Sequence, residues 1–106
     1  MLTFYKDNIM KVNVSGRHMD VGDSLRSYIE EKIEEVVLKY LDRAENVEVV
    51  ALKEGHMFQV DITSHMGTHA NFGIKGRSKA PDVYAAFDSA VDKIEKQLRR
   101  YKRRLT

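Results

Sequence analysis

The chain contains no cysteine. Disulfides and thiolate metal centres are thereby excluded, and a reducing compartment fits the composition. No apolar run approaches the ~20 residues of a membrane-spanning helix, so no membrane partner is expected. The opening, MLTFYKDNI, lacks the charged head, apolar middle and small-residue cleavage site of a secretory signal. A soluble, cytoplasmic protein is the expectation. Repeats, low-complexity tracts and linkers are absent as well. No serine sits in a nucleophile elbow, and no spacing of nucleophile, base and orienting group is visible. Gly73-Ile74-Lys75-Gly76 is glycine-rich, but it lies inside a strand pattern and opens no helix. It therefore reads as a bulge or flat patch rather than a phosphate loop. His65 and His69 bracket a loop, yet two ligands do not make a metal centre; Asp61 is nearby in sequence, but no second acid or cysteine completes the set. The expectation is a protein with no catalytic residues, no metal and no cofactor.

What the chain does have is segregated charge. Its 106 residues suffice for one domain with one modest core. The formal net charge is only +2, but residues 1–74 hold 8 basic and 12 acidic residues while residues 75–106 hold 10 and 4. Segregation of this kind gives one face to an anionic partner and another to solvent or a different neighbour.

The basic half is concentrated in Pro81 to Leu105. There Val83, Phe87, Ala90, Val91, Ile94, Leu98, Tyr101 and Leu105 recur in steps of three and four, the signature of one buried helical side. Lys93, Lys96, Arg100, Arg103 and Arg104 fall opposite, with Arg99 and Lys102 flanking them. A solvated helix face accounts for such charge when signs alternate, and Asp92–Lys96 and Glu95–Arg99 are spaced as i,i+4 pairs. Two pairs leave most of these cations without an acid, which favours a polyanion-binding surface.

Upstream, residues 1–9 show no period and read as an N-terminal extension to a domain of residues 10–106. Met10 to Ser15 alternates as a half-buried strand ended by Gly16. Asp23 to Leu41 is an amphipathic helix capped by Gly22 or Asp20, its outer side rich in Glu30, Glu31, Glu34 and Glu35. Arg26 and Lys32 flank its apolar stripe, where long stems run along the core edge. Val47 to Lys53, Met57 to His65 and His69 to Arg77 read as strands, with Lys75 and Arg77 on the solvent side of the third. Glu54-Gly55-His56 and Met66-Gly67-Thr68 read as the turns between them. Ser78 to Pro81 reads as a connector, with the last helix capped by Ser78, Ala80 or Asp82. Tyr28, Tyr40, Tyr84, Phe87 and Tyr101 all fit helical core stripes, which argues against base stacking as the binding mechanism. The order β-α-β-β-β-α implies an α+β two-layer sandwich: a four-stranded mixed sheet, its first strand joined through a crossover helix, with both helices on one face.

One stretch carries a specific likeness. Asp82-Val83-Tyr84-Ala85-Ala86-Phe87-Asp88, followed by Asp92-Lys93-Ile94 and Gln97-Leu98 within a basic helix, resembles the ribosome hibernation promoting factor / ribosome-associated inhibitor A family. The opening MKVNVSGRHMDVGDSLRSYI is similar to that family's first strand and helix start. The resemblance runs from about Met10 to Leu105. It implies a fold like a double-stranded-RNA-binding domain and, as partner, the small ribosomal subunit and its rRNA. Occupation of the mRNA–tRNA channel would silence idle ribosomes in stationary phase or stress. Its basic contact positions fall on Arg26, Lys32, Lys93, Lys96, Arg100, Lys102 and Arg104. Lys75, Arg77, Arg99 and Arg103 complete the expected RNA-binding set. The sequence departs from the family at Glu35, where some relatives carry lysine. A monomer is expected, with ribosome pairing only if a further domain follows. The alternatives are a general double-stranded-RNA-binding module and, from another class, an enzyme built on His65 and His69.

Overall fold

The computed structural model describes residues 11–40, 46–65 and 73–105. The elements follow in the order β1 (Lys11–Arg17), α1 (Asp23–Tyr40), β2 (Asn46–Glu54), β3 (Met57–His65), β4 (Gly73–Ala80) and α2 (Val83–Leu105). The four strands form one sheet in sequence order. β1 and β2 are parallel, as a crossover through α1 requires, and the β2–β3 and β3–β4 pairs are antiparallel. The fold is the expected α+β arrangement of a mixed sheet and two helices.

Alternation decides which sheet face is covered. Val14, Val47, Val49, Ala51, Val60, Ile62 and Ile74 are buried on one face. Leu25, Ile29, Ile33 and Val37 of α1 pack onto them, as do Phe87, Ala90, Ile94 and Leu98 of α2. The VEVVALK segment alternates imperfectly because Val50 and Leu52 land half-buried on the other face. Gly76 sets how closely α2 approaches the sheet. A Cβ there would stand 2.6 Å from the Ala90 carbonyl oxygen and 2.9 Å from Ile94 Cγ2. At the β2–β3 turn, Gly55 takes a φ of 63°, a backbone region that side chains disfavour.

The two helices run in the same direction. Near the start of each, the Tyr28 hydroxyl donates to Asp88 Oδ1 at 2.7 Å. Further along both, the Tyr40 hydroxyl donates to Glu95 Oε2 at 2.7 Å. α2 then continues ten residues past Glu95, roughly 15 Å of helix.

Local readings fail where tertiary pairing wins. β1 does not end at Gly16, because Gly16 and Arg17 remain paired with Ala51 and Leu52. Ser78 to Ala80 is strand rather than connector, since it pairs with Val60, Gln59 and Phe58. Pro81 therefore precedes α2. Asp82 is the cap, its Oδ2 accepting from the Ala85 N–H at 3.0 Å. At α1 the Gly22 carbonyl accepts the first helical bond, from Arg26 N at 3.0 Å.

Tyr28 is not a core residue: it is 36% exposed. It lies across the seam between the helices, edge-on to Tyr84 at 5.1 Å and to Phe87 at 5.7 Å between ring centroids. Its hydroxyl needs a polar partner, and Asp88 supplies one. That carboxylate holds the phenol above its ordinary pKa. Tyr40, Tyr84 and Tyr101 are half-buried, and of the five aromatic residues assigned to the core only Phe87 is fully enclosed. Residues 1–9, Met66-Gly67-Thr68 and His69 lie outside the described residues, as do the side chains of His65, Arg103 and Arg104. The pairing of His65 with His69 therefore also lies outside them.

Candidate nucleic-acid interface

The helical period places Lys93, Lys96 and Arg100 along one flank of α2. That flank overhangs β4. Lys93 Nζ donates to the Arg77 carbonyl oxygen at 2.6 Å, and the side-chain amide of Gln97 bonds the main chain of Lys75. Alternation along β4 buries Ile74 and Gly76 and leaves Lys75, Arg77 and Lys79 exposed. Two sequence-distant sets of cations therefore border one edge of the molecule: Lys93, Lys96 and Arg100 on the helix, and Lys75 and Arg77 on the strand, whose side chains alternate away from the face that Ile74 and Gly76 turn to α2.

Several of the expected contact residues have partners within the protein. Arg77 is held by Asp61 across the strand pair, with Nε 2.8 Å from Oδ1 and Nη2 3.3 Å from Oδ2. Arg26 is half-buried and donates from Nη1 to the Val14 carbonyl oxygen at 3.1 Å, on the edge strand β1. Lys32 lies 3.8 Å from Glu35. Among the described residues, the charged groups of Lys75, Lys96, Arg100 and Lys102 make no ion pair or hydrogen bond, and all four residues are exposed. The expected Asp92–Lys96 pair is not formed. The Glu95–Arg99 pair is, at a long 3.9 Å.

Glu95 mainly faces the other helix. Besides Tyr40 it receives Lys39 Nζ at 3.4 Å. The Tyr40 hydrogen bond, with help from Lys39 and Arg99, holds its carboxyl below the ordinary value of 4.5, against the opposing effect of burial. A folded carboxyl that titrates below its unfolded counterpart contributes stability above pH 4.5, and that contribution is lost as pH falls through the folded value. Thermal melts of the parent and Glu95→Gln between about pH 6 and about pH 3 should therefore converge on the acid side. A gap that stays constant with pH would remove Glu95 from the acid response.

Sequence reasoning missed two features of this edge. Lys79 extends the Lys75–Arg77 alternation, and its Nζ lies 3.5 Å from Glu54. A longer strand prediction would have found it. Gln97 carries no charge, and nothing in its local sequence announces a bond to a strand 22 positions away. On the far side of the molecule, Glu30, Glu31 and Glu35 of α1 are exposed. The charge asymmetry of the sequence thus becomes a basic α2–β4 side and an acidic α1 side. Among the described residues no cluster of three metal-ligating side chains occurs, and no helix is long and apolar enough to cross a membrane.

A β-α-β-β-β-α domain with one cation-rich edge is a class of small module suited to a polyanion. The chain belongs to the family described as sigma 54 modulation protein / S30EA ribosomal protein, whose model it matches over residues 12–106. It is 44% identical over 96 residues to the ribosome hibernation promotion factor of Rhizobium meliloti (strain 1021), covering 91% of this chain and 50% of that protein. It is 32% identical over 97 residues to the ribosome hibernation promoting factor of Escherichia coli (strain K12), covering 91% of this chain and 97% of that one. The chain thus spans about half the length of the rhizobial relative and nearly all of the shorter one. Among solved structures, the Thermus thermophilus Protein Y N-terminal domain superposes with a TM-score of 0.76 at 28% identity, covering 87% of this chain and 99% of that domain.

Proposed function

We propose that this chain is a ribosome hibernation factor. It occupies the mRNA–tRNA channel of the small ribosomal subunit through phosphate contacts to rRNA and so silences idle ribosomes in stationary phase or stress. It acts in the cytoplasm by occlusion, as a monomer and without catalysis. The observation that carries this reading is the convergence of β4 and α2 cations on one exposed edge, in a chain whose relatives bear hibernation-factor names. In this reading Lys75, Lys96, Arg100 and Lys102 are the primary phosphate contacts among the described residues, joined by Arg103 and Arg104 further along α2. Lys93, Arg77 and Arg99 contribute charge from positions already tethered to the protein. Lys32 stands on the Tyr28 side of α1, and Arg26 stands on its β1 side, at the opposite edge of the sheet from β4; both join the set as α1 charges.

Sedimentation with purified small subunits, in competition with unrelated duplex RNA, tests the assignment. Retention of the small-subunit complex against excess duplex supports it; complete displacement would make the chain a general duplex-RNA module instead. Salt offers a second measure. Counterion release gives a slope of log K against log[salt] of about −0.7 to −0.9 per phosphate contact, so these six contacts give roughly −4 to −5. A nearly flat response would remove the electrostatic mechanism.

A further inference from the structure

Three consecutive residues of β4 are each held by α2. The Lys75 N–H donates to Gln97 Oε1 at 3.0 Å, and the Lys75 carbonyl accepts from Gln97 Nε2. At Gly76 the missing side chain lets the Ala90 turn and Ile94 close onto the strand. The Arg77 carbonyl accepts from Lys93 Nζ. β4 is the last strand of the sheet, so its outward main-chain groups have no strand to bond. The Gln97 amide presents one donor and one acceptor side by side, as a neighbouring strand's main chain would. It bonds the single residue from which the free Lys75 ammonium springs. Lys96 precedes it and Arg100 follows three positions later, both exposed.

We propose that Gln97 is a positioning residue for polyanion binding. By locking the Lys75 backbone to α2, it fixes where Lys75 springs from the β4 edge relative to Lys96 and Arg100, so that one phosphate backbone crossing that edge meets all three. The proposal rests on the phosphate-contact reading above and adds to it how charges from two elements act together. Gln97 carries no charge and contributes through geometry alone. Cations fixed before binding lose less freedom on contact than cations that must be gathered by the ligand.

The test is a double-mutant cycle on binding to purified small subunits. Gln97→Met keeps side-chain length and helix propensity while removing both hydrogen bonds. It should weaken binding about threefold to tenfold at a temperature far below its melting point. Lys75→Ala should weaken binding in the parent but by less than about twofold in the Gln97→Met background, because Lys75 is already displaced. Gln97→Ala, run in parallel, should give the same non-additivity. A purely structural role would make the two losses additive, and additivity or undiminished binding by Gln97→Met would overturn the proposal. The parent's own salt dependence separates the two levels. A steep parent response with additive variants overturns the positioning role alone, whereas a flat one overturns the phosphate reading and this proposal with it.

Discussion

Replacing Ile94 or Leu98 by alanine should lower the melting temperature by roughly 10–40 °C or unfold the domain outright. Both side chains are fully buried in α2. Truncating a large buried aliphatic residue removes its transfer energy and leaves a cavity, together about 2–5 kcal/mol. In a domain of this size each kcal/mol moves the midpoint by about 4–8 °C. Ile94 has the added role of packing at Gly76, where α2 lies close against β4 and neighbouring atoms have little space to refill the gap. Circular-dichroism melts decide the matter. A shift of only a few degrees would mean that the inward side of α2 has been misassigned.

The same helix should show the opposite behaviour one turn away. Lys96→Ala/Arg100→Ala should leave the melting temperature nearly unchanged, because exposed substitutions away from packing are usually worth ~0.5 kcal/mol or less. Neither charge has an acid partner among the described residues, so no ion pair is lost. The variant should nevertheless bind small subunits at least about tenfold more weakly at moderate salt, with a salt slope shallower by about two contacts. It should also inhibit translation less. Binding like the parent would return this flank to the status of a solvated helix face. Loss of folding would show that the inward and outward sides had been exchanged.

The contrast between those two experiments follows from what was legible in the sequence. The period of Val83 to Leu105 sorted buried from exposed positions correctly at Phe87, Ile94, Leu98, Lys96 and Arg100. Strand alternation likewise sent Lys75 and Arg77 outward, and the β-α-β-β-β-α order made possible the parallel first pair that the sheet forms. What escaped was contact between distant elements. Gln97 stood inside a recognised motif, but its role depends on a strand edge that exists only after β4 has paired with β3. Arg26 looked like a free charge beside an apolar stripe until β1 brought the Val14 carbonyl to it. Asp61 and Arg77 became partners only through strand register. Tyr28 fitted a core period, and its hydroxyl then turned to Asp88 because two parallel helices left their seam open there. Local period reports which side of an element is apolar; it does not report which polar atoms the neighbouring element leaves unsatisfied.

Most of these long-range bonds join the domain to itself, and they bear on how the candidate site is divided. Lys93, Arg77 and Arg26 hold helices and strands in register, while Lys75, Lys96, Arg100 and Lys102 remain available to a partner. A charge count from sequence treats all of them alike. Their substitutions should therefore separate into a group that changes stability together with binding and a group that changes binding alone.

Occlusion of the mRNA–tRNA channel, as proposed, is read out by competition on purified small subunits. Small subunits loaded with mRNA and tRNA should exclude the chain, and prior binding of the chain should exclude both RNAs, with each affinity falling as the competitor is titrated. Simultaneous binding of the chain, mRNA and tRNA to the same subunit, at unchanged affinities, would rule out occlusion.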